Sequence, residues 1–397
     1  MADHPIRDDI RLLEGEFYVD RPLEHYEWMR AQAPVYRDPV GEIWGVALHE
    51  DIMHCSKNPK TFCSGKSSRP EEGTWIPSMI NLDDPDHKRR RNLVNRGFTP
   101  RRVSDHAPLI RRVVTQLIDA VSEKGRCDFV QEVAAPLPMA IIGTMLGVAE
   151  EDWGTLLQWS EDMLRGTDAA ASDEARNNAM QAGAAYASYA MEVINDRRKQ
   201  SREDLMGILV DSEIDGERLK DEELIQESLL ILIGGDETTR HVITGGMQAL
   251  VENPDQRRKL IDDPSKIPTA VEEMLRWVTP IKNMNRTALH DCVLRDQKIR
   301  EGEKVLLLYQ SGNRDERVFD QPKSFDVERS PNDHVAFGGY GTHFCLGAPL
   351  ARLELRILFE ELLRRLPDME IDGDLPLRPS NFIVGIEQMP VRFSPVG

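Results

Sequence analysis

The chain lacks several features that define broad classes of protein. None of its apolar runs approaches the roughly 20 residues that a membrane-spanning helix needs, and residues 1–9 hold no apolar core of a secretion signal. Positive charge is also scarce, because 68 acidic residues outweigh 50 basic ones and leave a net charge of −18. A field of this sign repels phosphates. We therefore expect neither a membrane anchor nor a nucleic-acid partner.

Paired cysteines are missing as well. The chain has five cysteines, an odd number without paired spacing, whereas disulfide frameworks use even numbers. They are Cys55, Cys63, Cys127, Cys292 and Cys345. This pattern is typical of reduced thiols and predicts a cytoplasmic protein.

The sequence also has no internal repeat and no long linker rich in glycine, serine or proline. A single domain over residues 1–397 is therefore the simpler interpretation. Helical periodicity dominates residues 107–277, whereas short strand-like runs lie outside this region, at 43–46, 285–287 and 305–309. We predict a mainly α fold with a smaller β portion.

The longest helical candidate covers residues 221–253 and is closed by Pro254. At about 1.5 Å per residue, a helix of this length crosses the whole molecule. Its centre, residues 234–239, interrupts an apolar run with two glycines, two acids and two threonines. Interior glycines each cost about 1 kcal/mol, and threonine hydroxyls can bend the axis. The interruption indicates that another group packs against the backbone there, and two abutting helices are the alternative.

Residues 336–349 form a glycine-rich loop that delivers Cys345 to the start of a helix. Its glycines remove side chains that would keep a flat ligand away from the backbone. The free amides and the dipole of a helix N-terminus favour the thiolate, which is a ligand for a soft metal. Alternatives are a small buried hydrophobe or a nucleophile with a histidine base. Zinc needs more ligands than the neighbouring His343 supplies.

The same loop resembles the haem-binding loop of the cytochrome P-450 family, the haem-thiolate monooxygenases. Gly341, His343, Cys345 and Gly347 match the family motif Phe-Gly-x-Gly-x-His/Arg-x-Cys-x-Gly, whereas Phe337 lies one residue further from the cysteine. The resemblance implies haem b with Cys345 as its axial thiolate ligand, and Phe337 and Gly341 beside it. It also implies the cytochrome P-450 fold, in which the long helix crosses the haem, and the soluble bacterial type.

The centre of the long helix resembles the oxygen-activating motif of the family. Glu237 and Thr238 match the acid and threonine over the distal face of the haem, although Asp is commoner than Glu there. In that role the hydroxyl holds O2 and a water, and the carboxylate passes protons inward from solvent. Asp236 is the rival acid, but one residue along a helix it points elsewhere.

Haem propionates need cations, and two segments supply them. His87 and Arg91 lie at i, i+4 and match the His-x-x-x-Arg contact of the family, while Arg286 and His343 match two further positions. The resemblance implies that all four bind the cofactor.

A basic island surrounds the first of these segments on the acidic chain. It comprises Lys88, Arg89, Arg90, Arg96, Arg101 and Arg102. In the family this region lies on the proximal face, which implies a docking patch for an acidic ferredoxin served by an NAD(P)H-dependent reductase. A solvated helix face is the alternative.

Glu273 and Arg276 resemble the Glu-x-x-Arg pair of the family, and Arg329 matches its third member. The spacing alone is a weak signal, since it recurs at Glu123 and Arg126, where an exposed pair is expected. The resemblance implies a buried network that supports the cysteine loop.

The expected substrate pocket has apolar walls, although core packing is the alternative for each residue. Its candidates are Ile76, Met79, Ile80, Leu230, Ile233, Gly234, Val278, Met284 and Phe382. Residues 135–140, 232–241 and 282–286 resemble the actinobacterial cholesterol side-chain hydroxylases of the family. This implies insertion of one oxygen atom of O2 into the terminal methyl group of a cholesterol or cholest-4-en-3-one side chain.

Two other functions compete with sterol hydroxylation. An ω-hydroxylase of fatty acids or branched lipids uses the same chemistry on another apolar substrate. A haem-thiolate gas sensor without turnover belongs to a different class, and it has no need of the Glu237–Thr238 pair.

Overall fold

The computed structural model describes residues 5–71, 77–167, 171–214 and 216–395. Of the described residues, 54% are helical and 11% are in strands, so the predicted mainly α class with a smaller β portion is confirmed. The α-helices are α1 (Pro22–Gln32), α2 (His49–Lys57), α3 (Asp86–Asn95), α4 (Pro100–Asp105), α5 (Ala107–Ser122), α6 (Pro136–Leu146), α7 (Trp153–Thr167), α8 (Asp173–Lys199), α9 (Leu205–Asp211), α10 (Asp221–Glu252), α11 (Pro254–Asp262), α12 (Ile267–Val278), α13 (Tyr309–Gly312) and α14 (Ala348–Arg365).

The strands are short, and most of them lie before residue 64 or after residue 282. They are β1 (Val35–Asp38), β2 (Ile43–Val46), β3 (Phe62–Cys63), β4 (Arg126–Asp128), β5 (Glu213–Ile214), β6 (Glu217–Arg218), β7 (Asn283–Ala288), β8 (Cys292–Leu294), β9 (Gln297–Ile299), β10 (Lys304–Leu308), β11 (Glu370–Ile371) and β12 (Pro390–Arg392). The predicted runs at 43–46, 285–287 and 305–309 correspond to β2, β7 and β10, although Tyr309 already begins α13.

The main sheet has the strand order β1-β2-β10-β7-β3. Strands β2 and β10 pair in parallel and the other neighbours are antiparallel. Within β7, Met284 and Arg286 are two residues apart and therefore point to the same face, where both line the internal cavity described below. The sheet thus supplies one wall of that cavity.

Helix α10 runs unbroken through 32 residues, which confirms the prediction of one long helix over the alternative of two. Its two central glycines serve different purposes. A Cβ on Gly235 would lie 3.0 Å from the side chain of Ile142, so this glycine lets α6 pack closely. A Cβ on Gly234 would meet no atom within 4 Å, because Gly234 opens onto the cavity.

The largest hydrophobic core lies around α5, α6, α10, α12 and α14. In α5 the buried side chains Ile110, Val113, Val114, Ile118 and Val121 follow helical spacing, so one face of this helix packs inward. Among the described residues, no helix is both long and apolar enough to cross a membrane.

Candidate active site

A cavity lies between the middle of α10 and the loop that precedes α14. The space between these elements amounts to about 1500 Å³, a volume that includes the solvent-filled opening of the cavity. Its wall is mostly apolar and brings together His87, Thr238 and Cys345, which lie far apart in the sequence. A large apolar ligand and a planar cofactor are the kinds of molecule that such a wall accommodates.

The side chain of Cys345 lines this cavity and is exposed to it. Burial raises the pKa of the thiol, and the backbone N–H groups of Gly347 and Ala348 oppose that rise, as do the charges of Arg91 and Arg352. These donors lie at the N-terminus of α14, as the sequence predicts. They favour a thiolate when a metal cation at the sulfur offsets the cost of burial.

The glycines of the cysteine loop allow close packing against α2. A Cβ on Gly341 would lie 1.9 Å from the carbonyl oxygen of Ser56, and one on Gly339 would lie 2.3 Å from its hydroxyl. Gly338 has a φ of +93°, which favours glycine. The structure therefore places Gly341 against α2 and not on the cavity wall, contrary to the cofactor contact expected from the sequence.

Phe337 reaches the cavity wall despite its extra residue of separation from the cysteine. Its carbonyl accepts a hydrogen bond from the N–H of Cys345 at 2.9 Å. The guanidinium of Arg352 lies 4.7 Å from the centre of its ring. The left-handed residue Gly338 accommodates the additional length of the loop.

Four basic side chains meet on one part of the wall. They are His87, Arg91, Arg286 and His343. The arginines donate to backbone carbonyls, Arg91 to Phe344 and Arg286 to Asn285. Within the described residues, no carboxylate forms an ion pair with either guanidinium, so the wall offers two uncompensated cations to an anion in the cavity. This charge arrangement fits the propionates of a haem.

The rings of His87 and His343 lie with their centroids 4.1 Å apart and their planes tilted by 36°. The Nδ1 atom of His87 lies 3.2 Å from Asp84, whereas its buried Nε2 has no hydrogen-bond partner among the described residues. Burial lowers the pKa of His87 and, together with the nearby arginine charges, lowers the pKa of His343 to about 2. Both rings are therefore neutral near pH 7 and act as hydrogen-bonding groups.

Thr238 lies on the cavity wall beside Gly234 and Thr239. Its hydroxyl donates to the carbonyl of Gly234 at 2.8 Å, one turn earlier in α10. A threonine bonded in this way still offers its oxygen as an acceptor to a group in the cavity.

Glu237 does not reach the cavity wall. It is 1% exposed, with a carboxylate oxygen 2.5 Å from Arg240 and 3.1 Å from His241. Burial alone would raise the pKa of Glu237, but the His241 hydrogen bond and the Arg240 charge lower it to about 2. Arg240 and His241 line a second, polar cleft of about 390 Å³, which lies on the other side of α10 from Thr238. The structure therefore separates the expected acid–threonine pair.

Two further carboxyl groups lie close to this region. Burial, with the Glu237 charge, raises the pKa of Asp236 well above its usual range. Glu354 on α14 lines the cavity, and burial, with the Asp236 charge, raises its pKa in the same way. Sequence reasoning missed Glu354, because no local pattern distinguishes it from Glu360 and Glu361 in the same helix.

Glu273, Arg276 and Arg329 form one buried network, as the resemblance to the family implies. The carboxylate of Glu273 lies 2.6 Å from Arg276 and 3.0 Å from Arg329. It also accepts hydrogen bonds from the N–H of Asp326 and the side chain of Asn332. The network therefore ties α12 to the segment that leads into the cysteine loop, while its role in cofactor retention stays a prediction.

A second network behind the loop escaped the sequence analysis. Glu272 accepts a hydrogen bond from Arg352 at 2.7 Å and lies 3.1 Å from His334. Since Arg352 also covers Phe337, these side chains hold the loop from its outer side. Their pattern is not distinguishable in sequence from ordinary surface pairs.

Five of the expected pocket residues lie on the wall, namely Met79, Ile80, Leu230, Gly234 and Met284. Ile233, Val278 and Phe382 do not. One residue before Gly234, Ile233 is rotated toward the core, and Val278 packs against Gly245 of α10. Phe382 lies 4.0 Å from the guanidinium of Arg69. Ile76 lies outside the described residues.

The basic island of the sequence divides in the structure. Arg89 pairs with Glu217 at the surface, and Arg101 is exposed. Arg90 instead turns inward and forms ion pairs with Glu223 and Glu227 of α10. Including Arg90 in a docking surface was therefore wrong.

Comparison of the sequence with known families and proteins identifies relatives of this chain. Residues 49–382 match the family model described as Cytochrome P-450. A steroid C26-monooxygenase of Mycolicibacterium smegmatis is 47% identical over 98% of this chain and 97% of its own length. A methyl-branched lipid omega-hydroxylase of Mycobacterium bovis is 38% identical over 92% of this chain and 90% of its own length.

Solved structures give the same result. A cytochrome P-450 of Mycobacterium marinum, determined in complex with pseudoionone, superposes with a TM-score of 0.91 at 34% identity, covering 99% of this chain and 100% of that one. Similarity over the whole length in both sequence and structure shows that the chain belongs to the cytochrome P-450 family, monooxygenases that carry haem b on a cysteine thiolate.

Proposed function

We propose that this enzyme hydroxylates the terminal methyl group of a sterol side chain, with cholesterol or cholest-4-en-3-one as the substrate. The observation that carries the proposal is the large apolar cavity whose wall includes both Cys345 and Thr238. The 47% identity to a steroid C26-monooxygenase supports the choice of substrate. The net reaction consumes O2, two electrons and two protons, and yields the alcohol and water.

In this proposal Cys345 binds the iron of haem b. The propionates are bound by the four basic side chains of the cavity wall, His87, Arg91, Arg286 and His343. When bound, the haem supplies the reduction of O2 and the oxidation of the C–H bond. The protein contributes a thiolate stabilised by the amides of Gly347 and Ala348, and an apolar wall that excludes water from the reacting carbon.

In this proposal Thr238 and Glu237 both take part in proton transfer, from opposite sides of α10. The hydroxyl of Thr238 presents a hydrogen-bonding group at the cavity wall. Glu237 is ionised and held by Arg240 and His241, which line the polar cleft. In our proposal the carboxylate accepts protons that arrive through that cleft and releases them toward Thr238.

We further propose a ferredoxin, reduced by an NAD(P)H-dependent reductase, as the electron donor. Arg101 on α4 and Arg112 on α5 are exposed on helices that pack against α14, the helix that follows the cysteine loop. Their charge suits an acidic partner on the side of the cysteine. None of the five cysteines, all of which lie among the described residues, forms a disulfide, which supports a cytoplasmic location.

An optical titration followed by product analysis tests the substrate. Cholest-4-en-3-one is expected to shift the absorption spectrum of the haem-loaded enzyme as it displaces water from the iron, and turnover should give the side-chain alcohol, identified by mass spectrometry. Binding and oxidation of a long-chain or branched fatty acid in place of the sterone would instead favour the ω-hydroxylase, which the 38% identical relative supports. If neither compound is oxidised while carbon monoxide still binds the reduced enzyme, the gas sensor becomes the better proposal.

A further inference from the structure

The segment that follows residue 76 carries two side chains onto the cavity wall. Met79 and Ile80 both line the cavity, and Met79 begins a single 3-10 turn, Met79–Asn81. One turn of this kind has little stability of its own. Contacts with the rest of the molecule must therefore set where these two side chains lie.

Glu227 of α10 provides one such contact. Its side chain is completely buried, and its Oε1 atom accepts a hydrogen bond from the N–H of Met79 at 2.8 Å. Leu230 and Ile231, one turn further along α10, line the cavity themselves. Glu227 therefore fixes the backbone of Met79 at the edge of the apolar wall that α10 provides.

Arg90 of α3 completes the arrangement. Its Nη1 atom donates to the carbonyl of Pro77 at 2.5 Å and to Glu227 at 3.1 Å. Its Nη2 atom lies 2.7 Å from Glu223, one turn before Glu227 in α10. A single guanidinium thus joins α3, α10 and the backbone immediately before Met79.

The burial of these groups indicates that they act together. The side chains of Arg90, Glu223 and Glu227 are 12%, 18% and 0% exposed. Burial raises the pKa of Glu227 to about 7, and Arg90 opposes this rise. The negative charge of a carboxylate buried this deeply is stabilised by its cationic partner. Loss of Arg90 should therefore also weaken the hydrogen bond between Glu227 and the N–H of Met79.

We propose that Arg90, Glu223 and Glu227 form an internal clamp that positions Met79 and Ile80 in the cavity wall and so determines the affinity for bulky apolar ligands. These are positioning residues, since their effect passes through the backbone of the segment. The clamp rests on the proposed function in that the cavity is the substrate site, but it does not depend on which apolar substrate the enzyme uses.

Two iron-binding probes of different size test the clamp in the haem-loaded enzyme. Clotrimazole is bulky and must contact the wall, whereas imidazole reaches the iron without doing so. Arg90→Gln and Glu227→Leu each remove a buried hydrogen bond of the segment and should weaken clotrimazole binding roughly tenfold, while imidazole affinity stays within about twofold. Arg89→Gln, a neighbouring arginine of α3 with a surface partner, should change neither affinity.

The double variant supplies an internal check. Because both side chains act on the same backbone, Arg90→Gln combined with Glu227→Leu should weaken clotrimazole binding by less than the product of the two single effects. Unchanged clotrimazole affinity in both single variants would overturn the clamp. Equal loss of imidazole and clotrimazole binding would also overturn it, because the variants would then have damaged the haem site as a whole.

The same variants separate the clamp from the other proposals. If cholest-4-en-3-one fails to bind even the wild-type enzyme, the sterol substrate is refuted while the azole comparison still decides on the clamp. Ferredoxin-dependent reduction of Arg90→Gln should proceed at the wild-type rate. A slowed reduction with unchanged clotrimazole binding would return Arg90 to a docking role and contradict the clamp.

Discussion

Single carboxyl groups along α10 are held in different protonation states by their immediate surroundings. Glu237 has cationic partners, and its pKa falls to about 2, whereas Asp236 next to it is buried and its pKa rises. Glu227, with one cationic partner at full burial, lies between them with a pKa of about 7. Charge at each position follows from the partners that the side chain meets, since all three are acids in one helix.

The contrast between Glu237 and Asp236 gives the first prediction. Glu237→Gln removes an ionised carboxylate and should lower kcat for hydroxylation by about 100-fold, the size of a lost proton-transfer group. Asp236→Asn replaces a group that is already neutral and should leave kcat within about threefold, well below that loss. Steady-state rates of the two variants decide the matter, and a larger loss in Asp236→Asn than in Glu237→Gln would assign the relay to Asp236.

The raised pKa of Glu227 gives a prediction about stability. Its pKa rises from 4.5 to about 7 on folding, so the folded protein takes up a proton between these values and loses stability as the pH rises through them. Glu227→Gln cannot lose stability in this way. The free energy of unfolding of this variant, relative to wild type, should therefore increase by about 1–3 kcal/mol between pH 5 and pH 8. Urea unfolding of the haem-loaded protein at both pH values measures the difference, and a constant difference would contradict the assigned titration.

At the scale of secondary-structure elements, the site depends on how α12 and α14 hold the loop between them. Arg276 is completely buried and donates to Glu273 and to the carbonyls of Asn313 and Ser324. The glycines of the loop then fit closely against Ser56 at the end of α2. The loop has little regular structure, so these attachments fix the position of the cysteine.

Arg276→Ala should therefore leave Glu273 buried without its main partner, at a cost of roughly 3–5 kcal/mol, and yield protein that fails to retain haem. The ratio of haem to protein absorbance after purification measures occupancy. Arg364→Ala is a matched control, because Arg364 forms an i, i+3 pair with Glu361 in the same way but is largely exposed. Full occupancy in Arg276→Ala would count against the supporting role, as would an equal loss in the control.

At the scale of the whole molecule, the distribution of charge separates the cofactor site from the surface. The chain carries a net charge of −18, yet the cavity wall gathers Arg91 and Arg286 with no paired carboxylate among the described residues. The exposed arginines Arg101 and Arg112 place positive charge on an otherwise acidic exterior. Local charge of this sign attracts negatively charged partners to the face that carries it.

Charge reversal tests that role. Arg112→Glu should slow ferredoxin-dependent reduction by about tenfold at low ionic strength and reduce its salt dependence, because steering by opposite charge is lost. Lys298→Glu, an exposed change of equal charge in the β8–β9 hairpin, should have little effect. Stopped-flow reduction at several salt concentrations measures both variants, and equal slowing would indicate net charge alone.

Sequence motifs predicted much of the site, because residues that share one helix or loop keep a fixed spacing. The i, i+4 spacing places His87 and Arg91 together on the cavity wall. The i, i+3 spacing likewise lets Glu273 and Arg276 form an ion pair. The single haem-binding domain stays a prediction. Ile233 was wrongly placed, since a shift of one residue along α10 turns a side chain from the cavity to the core. Glu354 was missed because only the meeting of α14 with the cavity shows that this acid is buried there.

The sequence by itself determined the family, the long helix, and the cysteine at the start of α14, because periodicity, helix ends and motif spacing are local properties. Only the tertiary structure decided that Arg90 turns inward and that Glu237 lies off the cavity wall. Arg90 and Glu227 are 137 positions apart, and no local pattern shows that they meet. Which face of a helix is buried depends on what packs against it, and that is decided by contacts between distant segments.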